Sequence, residues 1–507
     1  MAMRRLMNPL LVVMLLAHAT GAAAPTVEPD ALLAHIRFLA ADDLQGRANG
    51  SDGLERAAEY IAARFDETGL IPRAGGADWF QPFELTAGLE VAGENSLSLR
   101  TRGRTVRLAL GDSYLPLAAT PGDATFRLSG IPVVFAGYGI SAPGFDYDDY
   151  AGIDPAGSAV LIFSHEPQEH RRDSRLNGNR PIAETTLYSK AMAARTRGAR
   201  ALIVVSDPSH RSDDVNYGAF HIEPDAEDHG IPVLRVRRDD LAPVVEELGL
   251  DRLAALIDTD LVPRSRLLPA VTLDYVQHLG TKRRVVRNVV GVLPGADAAR
   301  RSEALVIGAH YDHVGLGGRF SSSPDRTGEI HNGADDNASG IAALVEMARA
   351  AAADRSRFPR TLVFVAFAGE ERGLLGSAHY ANNPALPLAN TLAMLNLDMV
   401  GRSRGVVEVG GLTRFPSLAR DVEAAARVVG IDARSGGPGA GRSDDSSFIE
   451  KGIPALHFFT GFHDDYHRPT DDWHFIDAAG TARVAMLALE VAARVAGRED
   501  RPEFAGR

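Results

Sequence analysis

The chain has 507 residues, 45% hydrophobic and 24% charged, with a formal net charge of −12. This describes a globular protein with room for more than one domain, and its acidic balance argues against nucleic acid or an anionic membrane as the main partner. The absence of cysteine excludes disulfides, thiolate metal ligands and cysteine nucleophiles.

Residues 1–24 have the three parts of an export signal. Arg4 and Arg5 form its basic region, residues 10–17 its apolar stretch, and residues 17–24 supply small side chains for cleavage. The apolar stretch falls short of the roughly 20 residues a spanning helix needs. No later segment is long and apolar enough to cross a bilayer, so an exported protein without stable membrane insertion is expected, periplasmic or secreted.

Apolar spacing predicts helices over residues 30–40 and 54–68, with Gly69 as the stop of the second. A turn-rich loop, residues 44–51, lies between them. From about residue 84 to 128 the pattern changes to short strands. Residues 129–280 read as a β-rich inserted domain, with strands at 131–135, 158–163, 201–205 and 233–236 and a helix at 190–196. The stretch 85–128 belongs either with this insert or with the N-terminal part of the main domain, residues 25–128. The insert's histidines (His165, His170, His210, His221 and His229) read as solvated loop residues.

A strand–helix alternation fills residues 281–500. Strands are predicted at 285–293, 304–307, 361–367, 392–397 and 455–459, and helices near 339–352, 416–429 and 481–495. Apolar strands without polar alternation imply a sheet covered on both faces. The fold class is therefore α/β, a mostly parallel central sheet flanked by helices, carrying the β-rich insert.

Three of these strands end in side chains that bind metals, where open α/β sheets place their chemistry. His310 and Asp312 follow the first. A neutral imidazole is a good zinc ligand, and a carboxylate beside it can accept its other ring N–H, so His310 is assigned to a metal and Asp312 to its support. Asp335, Asp336 and Asn337 precede a helix and would suit an N-cap. One cap does not need two carboxylates, however, and a carboxylate bridging two cations explains the pair. Glu370 and Glu371 follow an unbroken apolar strand, where two glutamates are costly without compensation. One can bind metal while the other takes a proton from water; Glu370 is assigned as base and Glu371 as ligand, with the reverse as the alternative. Asp398 and His467 complete five ligands, enough for two metals if Asp335 is shared.

Together these segments resemble the secreted co-catalytic zinc aminopeptidases, a family that also includes glutamate carboxypeptidase and glutaminyl cyclase. The residues carrying the resemblance are the 46–53 loop, NVVGVLPG at 288–295, the five ligand segments in order, and LHFFTGFHDDYHRPTDD at 456–472. The insert resembles a protease-associated domain. The resemblance implies a zinc exopeptidase fold and two Zn2+ per chain, one on His310 and Asp398, the other on Glu371 and His467. Asp335 would bridge them with a cis peptide to Asp336, Glu370 would be the general base, and Tyr466 would stabilise the oxyanion. The implied substrates are peptides with a free N-terminus. A glutamate-releasing carboxypeptidase and a non-catalytic binding protein on the same fold are the alternatives. Ser443-Asp444-Asp445 departs from the Ser-Asp-His of many relatives, which puts any histidine-dependent contact at position 445 in doubt.

Overall fold

The structure is a computed structural model that describes residues 26–72, 78–118, 125–178, 182–210, 230–317, 320–323, 326, 328–436 and 441–505. The expected export signal lies outside these residues, as do His221 and His229. The chain divides into two compact units, residues 84–285 and the remainder. Among the described residues no helix is long and apolar enough to cross a membrane.

The N-terminal segment supplies two helices, α1 (Pro29–Leu39) and α2 (Asp52–Glu67). Proline opens α1, where its missing N–H costs nothing. Ser51 caps α2 by accepting the Leu54 N–H at 3.2 Å. The predicted face of α2 is buried: Ala57, Ala58, Ile61, Ala62 and Phe65.

Strands of the 84–285 unit include β1 (Tyr114–Ala118), β2 (Thr125–Phe135), β3 (Ala159–Phe163), β4 (Ala201–Val205) and β5 (Val233–Val236), with helix α3 (Leu187–Thr196) between β3 and β4. They lie in the order β2-β3-β4-β5-β1, parallel except for the antiparallel β5–β1 edge. Alternate residues of β3 serve two cores: Leu161 and Phe163 join one, Val160 and Ile162 the other. The unit is therefore a small α/β layer structure, its sheet covered on both faces.

The long strand β6 (Arg266–Leu293) crosses the division. Its residues 266–278 pair antiparallel with β2 inside the 84–285 unit. In the larger unit its residues 289–293 join a sheet with β7 (Ala304–His310), β8 (Thr361–Phe367), β9 (Thr391–Leu397), β10 (Val406–Gly410), β11 (Asp432–Ser435) and β12 (Ala455–Phe459), and Ile71–Pro72 pairs with Gly291 and Val292 on their other side. The order is β11-β10-β12-β9-β7-β8-β6. The central run β12-β9-β7-β8 is parallel throughout. Every residue of β7, β8 and β9 is buried, so both faces are covered. Helices α4 (Gly340–Ala353) and α8 (Ala478–Gly497) pack on these strands, α1 packs on α4 and α8, α6 (Pro416–Val429) packs on α8, and α7 (Asp445–Glu450) packs on β9 and β12 with α5 (Leu375–Asn382) against it. The carboxyl ends of four neighbouring parallel strands consequently open at one edge.

Candidate metal centre

Each of those four strands delivers part of one cluster. β7 ends in His310, followed by Asp312 and His313; β8 is followed by Glu370 and Glu371; β9 by Asp398; and the loop after β12 carries His467. The fifth component comes from the segment before α4. There Gly333 sits at φ +55, and a side chain on it would meet the Asp336 carbonyl and the His313 ring. Only glycine fits this approach.

His310, Asp336 and Asp398 form one group able to hold a cation; His313, Asp336, Glu371 and His467 form another. Asp336 belongs to both. The His310 Nε2 lies 3.3 Å from Asp336 Oδ1 and 3.4 Å from Asp398 Oδ1. The His467 Nε2 lies 3.1 Å from Asp336 Oδ2 and 3.2 Å from Glu371 Oε2. Ligand atoms about 2.0 Å from a tetrahedral zinc stand about 3.3 Å apart, so the donor set fits two such ions.

The rings are also oriented for that role. His310 Nδ1 meets the Asp312 carbonyl at 3.2 Å, and His467 Nδ1 meets the Phe320 carbonyl at 2.7 Å. Each carbonyl fixes the proton on Nδ1 and turns a lone pair at Nε2 toward the carboxylates. The carboxylates and imidazoles of the cluster also shift one another's proton affinity. Burial disfavours a charged His467, but Glu371 and Asp336 outweigh it and hold the ring up at about 11. Burial and Asp336 oppose ionisation of Glu371, yet His467 and His313 bring it down to about 2.

Glu370 lies outside both groups but lines the same cavity, about 490 Å³ in volume. Burial, reinforced by Glu371, Asp398 and Asp444, pushes its carboxyl well above the usual range. Tyr466 stacks on His467 with ring centroids 3.9 Å apart and also lines the cavity; burial and the nearby carboxylates raise its pKa. Phe459, Phe462 and Met399 add apolar wall.

Two expectations are corrected. Asp335 does not bridge. Its Oδ1 accepts the Gly401 N–H at 2.6 Å and the Ser339 hydroxyl at 3.0 Å, and its Oδ2 faces His463 at 3.1 Å. These partners turn it away from the cavity and leave the central place to Asp336. The cis peptide shifts with it, to Asp336–Asn337. Asp312, expected to support His310 through its carboxylate, keeps that group 3.9 Å from the ring. The carboxylate instead accepts the N–H groups of Glu370 at 3.1 Å and Glu371 at 3.2 Å, and the Asn49 amide at 2.7 Å. It holds the backbone that carries both glutamates.

His313 was missed. Its Nδ1 lies 2.8 Å from Glu371 Oε1, a contact that orients the glutamate. Its place three residues past His310, just beyond a strand end, was the available signal. At the departure noted in sequence, Asp445 Oδ1 lies 3.6 Å from His457, itself a cavity residue.

Residues 288–492 match the model described as "Peptidase family M28". The aminopeptidase YwaD of Bacillus subtilis is 26% identical over 335 residues, 63% of this chain and 62% of that protein. A probable zinc metalloprotease of Pyrenophora teres f. teres is 37% identical over 135 residues, 26% of this chain and 27% of that protein. The chain thus spans less than two thirds of these curated relatives. Among solved structures, a zinc aminopeptidase from Bacillus subtilis superposes with a TM-score of 0.56 at 20% identity, covering 93% of this chain and 95% of that one. An aminopeptidase from Aneurinibacillus sp. strain AM-1 gives 0.52 at 22% identity, covering 95% of each. At these identities the structural likeness speaks for the fold, and residues 288–492, the stretch that carries the centre, are similar to peptidase family M28.

Proposed function

We propose that the protein is an exported dizinc metallo-aminopeptidase that removes N-terminal residues from peptides. The observation that carries the reading is the pair of donor groups meeting at Asp336, with Glu370 left outside both and facing the same cavity. His310 and Asp398 would hold one ion, Glu371 and His467 the other, and Asp336 both. Bound there, the ions would supply Lewis acidity and a water of lowered pKa. Glu370 accepts the proton of the attacking water and returns it to the leaving amine. Its raised proton affinity suits both halves of that shuttle. Asp312 keeps the Glu370 and Glu371 backbone in place throughout. Tyr466, on the cavity wall beside His467, is the candidate to meet the developing oxyanion.

Names of relatives, among them a Bacillus aminopeptidase and fungal zinc metalloproteases, support zinc and peptide substrates. The three-part pattern of residues 1–24 supports export; sequencing the N-terminus of the protein recovered outside the cytoplasm checks it. The activity test is a panel of short peptides, each as a free amine and as its N-blocked twin, with and without chelator. Turnover confined to free amines and lost with chelator is expected. Cleavage of the blocked twins would favour the carboxypeptidase reading. Turnover that survives exhaustive chelation would rule out a metal-dependent peptidase.

A further inference from the structure

The 84–285 unit brings together a second set of metal-binding side chains. β3 and β4 pair in parallel with Phe163 opposite Val205. Their carboxyl ends therefore lie side by side, and the residues that follow them, Ser164 to Glu169 and Ser206 to His210, meet. Carboxyl ends of parallel strands are where open α/β sheets hold ligands.

His165, Glu169 and His210 each point one donor atom into a common space, all within 4.8 Å of one another. The His165 Nδ1 is 3.2 Å and the His210 Nε2 is 3.3 Å from Glu169 Oε2. These separations repeat those of the cluster around Asp336, and they match the edge of about 3.3 Å expected around a tetrahedral ion. Glu169 Oε2 is shielded from solvent yet receives no hydrogen bond among the described residues. A nearly buried carboxylate, Asp207, takes His210 Nδ1 at 2.7 Å. That contact places the ring proton on Nδ1 and leaves a lone pair at Nε2 facing the glutamate oxygen. His165 Nδ1 also meets Glu169 Oε1 at 3.4 Å, and a cation placed between the Nε2 lone pair and Glu169 Oε2 would satisfy both.

We propose that His165, Glu169 and His210 form a binding site for one zinc-class divalent ion, with Asp207 as the residue that orients His210. Two imidazoles and one carboxylate suit zinc and its neighbours better than calcium or magnesium, which prefer oxygen alone. The imidazole rings stack at 3.8 Å, tilted by only 8°. Closing on a shared ion requires them to turn apart about their Cβ–Cγ bonds. Three protein donors leave a fourth position for solvent or for His170, whose ring lies 5.8 Å from that of His210.

The test uses the full chain, stripped by chelator and titrated with Zn2+ against a chromophoric competitor. An Asp336→Asn, Asp398→Asn chain, disabled at the peptidase centre, is expected to keep one tight equivalent. Adding Glu169→Gln to it should abolish that equivalent, and adding Asp207→Asn should weaken it about 10–100-fold, the usual cost of losing an outer partner. Glu169→Gln alone should bind one ion fewer than the parent and retain peptidase turnover. His210→Ala serves as a second removal, and circular dichroism without metal establishes that each variant folds. A parent and a folded Glu169→Gln variant with equal zinc stoichiometry would overturn the proposal and leave a cluster held by protons only.

Discussion

Asp335 and Asp336 are adjacent, both buried, and face opposite ways, so replacing each should have a different effect. Asp336→Asn removes the shared donor of both groups. Zinc affinity should fall by more than the roughly 10–100-fold cost of an outer partner, and activity with it. Asp335→Asn keeps an oxygen for the Gly401 N–H but loses the charge facing His463. It should retain zinc stoichiometry while costing about 1–3 kcal/mol of stability. Equilibrium dialysis and urea unfolding of the two variants separate these outcomes; equal metal loss from both would contradict the geometry. Glu370→Ala provides the complementary case. Turnover should fall at least about 100-fold with zinc content unchanged, and loss of zinc would make Glu370 a ligand. The strand-end residues were readable because an apolar run stops just before them. Which aspartate turns inward was not readable, because it depends on the backbone at Gly333 and Asp336 (φ −104°, ψ 96°), which composition does not encode. His467 lies in a loop at φ +54, and only the pattern of the whole segment marked it.

Between elements, Arg47, in the loop between α1 and α2, joins several of them. Only 1% exposed, it donates to the carbonyls of Leu39, Tyr311, Asn332 and Gly333. It thereby ties the end of α1 to the loop after β7 and to the segment carrying Asp336. Burial lowers its pKa to about 10, against the pull of Asp336, Asp312, Asp471 and Glu371. Arg47→Met would strand the carbonyls and remove the charge that faces those carboxylates. Roughly 3–5 kcal/mol is expected, the scale of breaking a buried charged network, and urea unfolding measures it. Near-parental stability would mean the loop holds itself. At this scale strands and helices were legible from periodicity, with boundaries displaced by a few residues at most main elements. Pairing was not. The insert's histidines looked solvated because His165 and His210 are far apart in sequence. Only the parallel register of β3 and β4 makes them neighbours.

For the molecule as a whole, the two units carry buried carboxylates of opposite sign in their response to acid. In the 84–285 unit Asp149 is 0% exposed and accepts the N–H groups of Tyr138 and Ile140 and the Tyr147 hydroxyl. Burial nevertheless dominates and raises its pKa from 3.8 to about 7. A carboxyl with a raised native pKa contributes fully below its unfolded value, and that contribution is lost as pH rises through the native one. The loss therefore runs from about pH 4 to about pH 7. In the larger unit Glu346 behaves oppositely. Burial opposes its charge, but His35 and Arg349 outweigh it and lower its pKa below 4.5, so its contribution is present at neutral pH and is lost only in stronger acid. Acidifying from pH 7 to pH 5 should then strengthen the 84–285 unit through Asp149 while leaving the Glu346 contribution in place. Hydrogen exchange, corrected for its intrinsic pH dependence, should show slower opening of β3 and β4 at pH 5 than at pH 7. Asp149→Asn, which keeps an acceptor for the two N–H groups and cannot ionise, should flatten that difference and stabilise the unit at pH 7. If parent and variant share one pH profile, Asp149 is not the group responsible and its N–H donors suffice to hold it ionised.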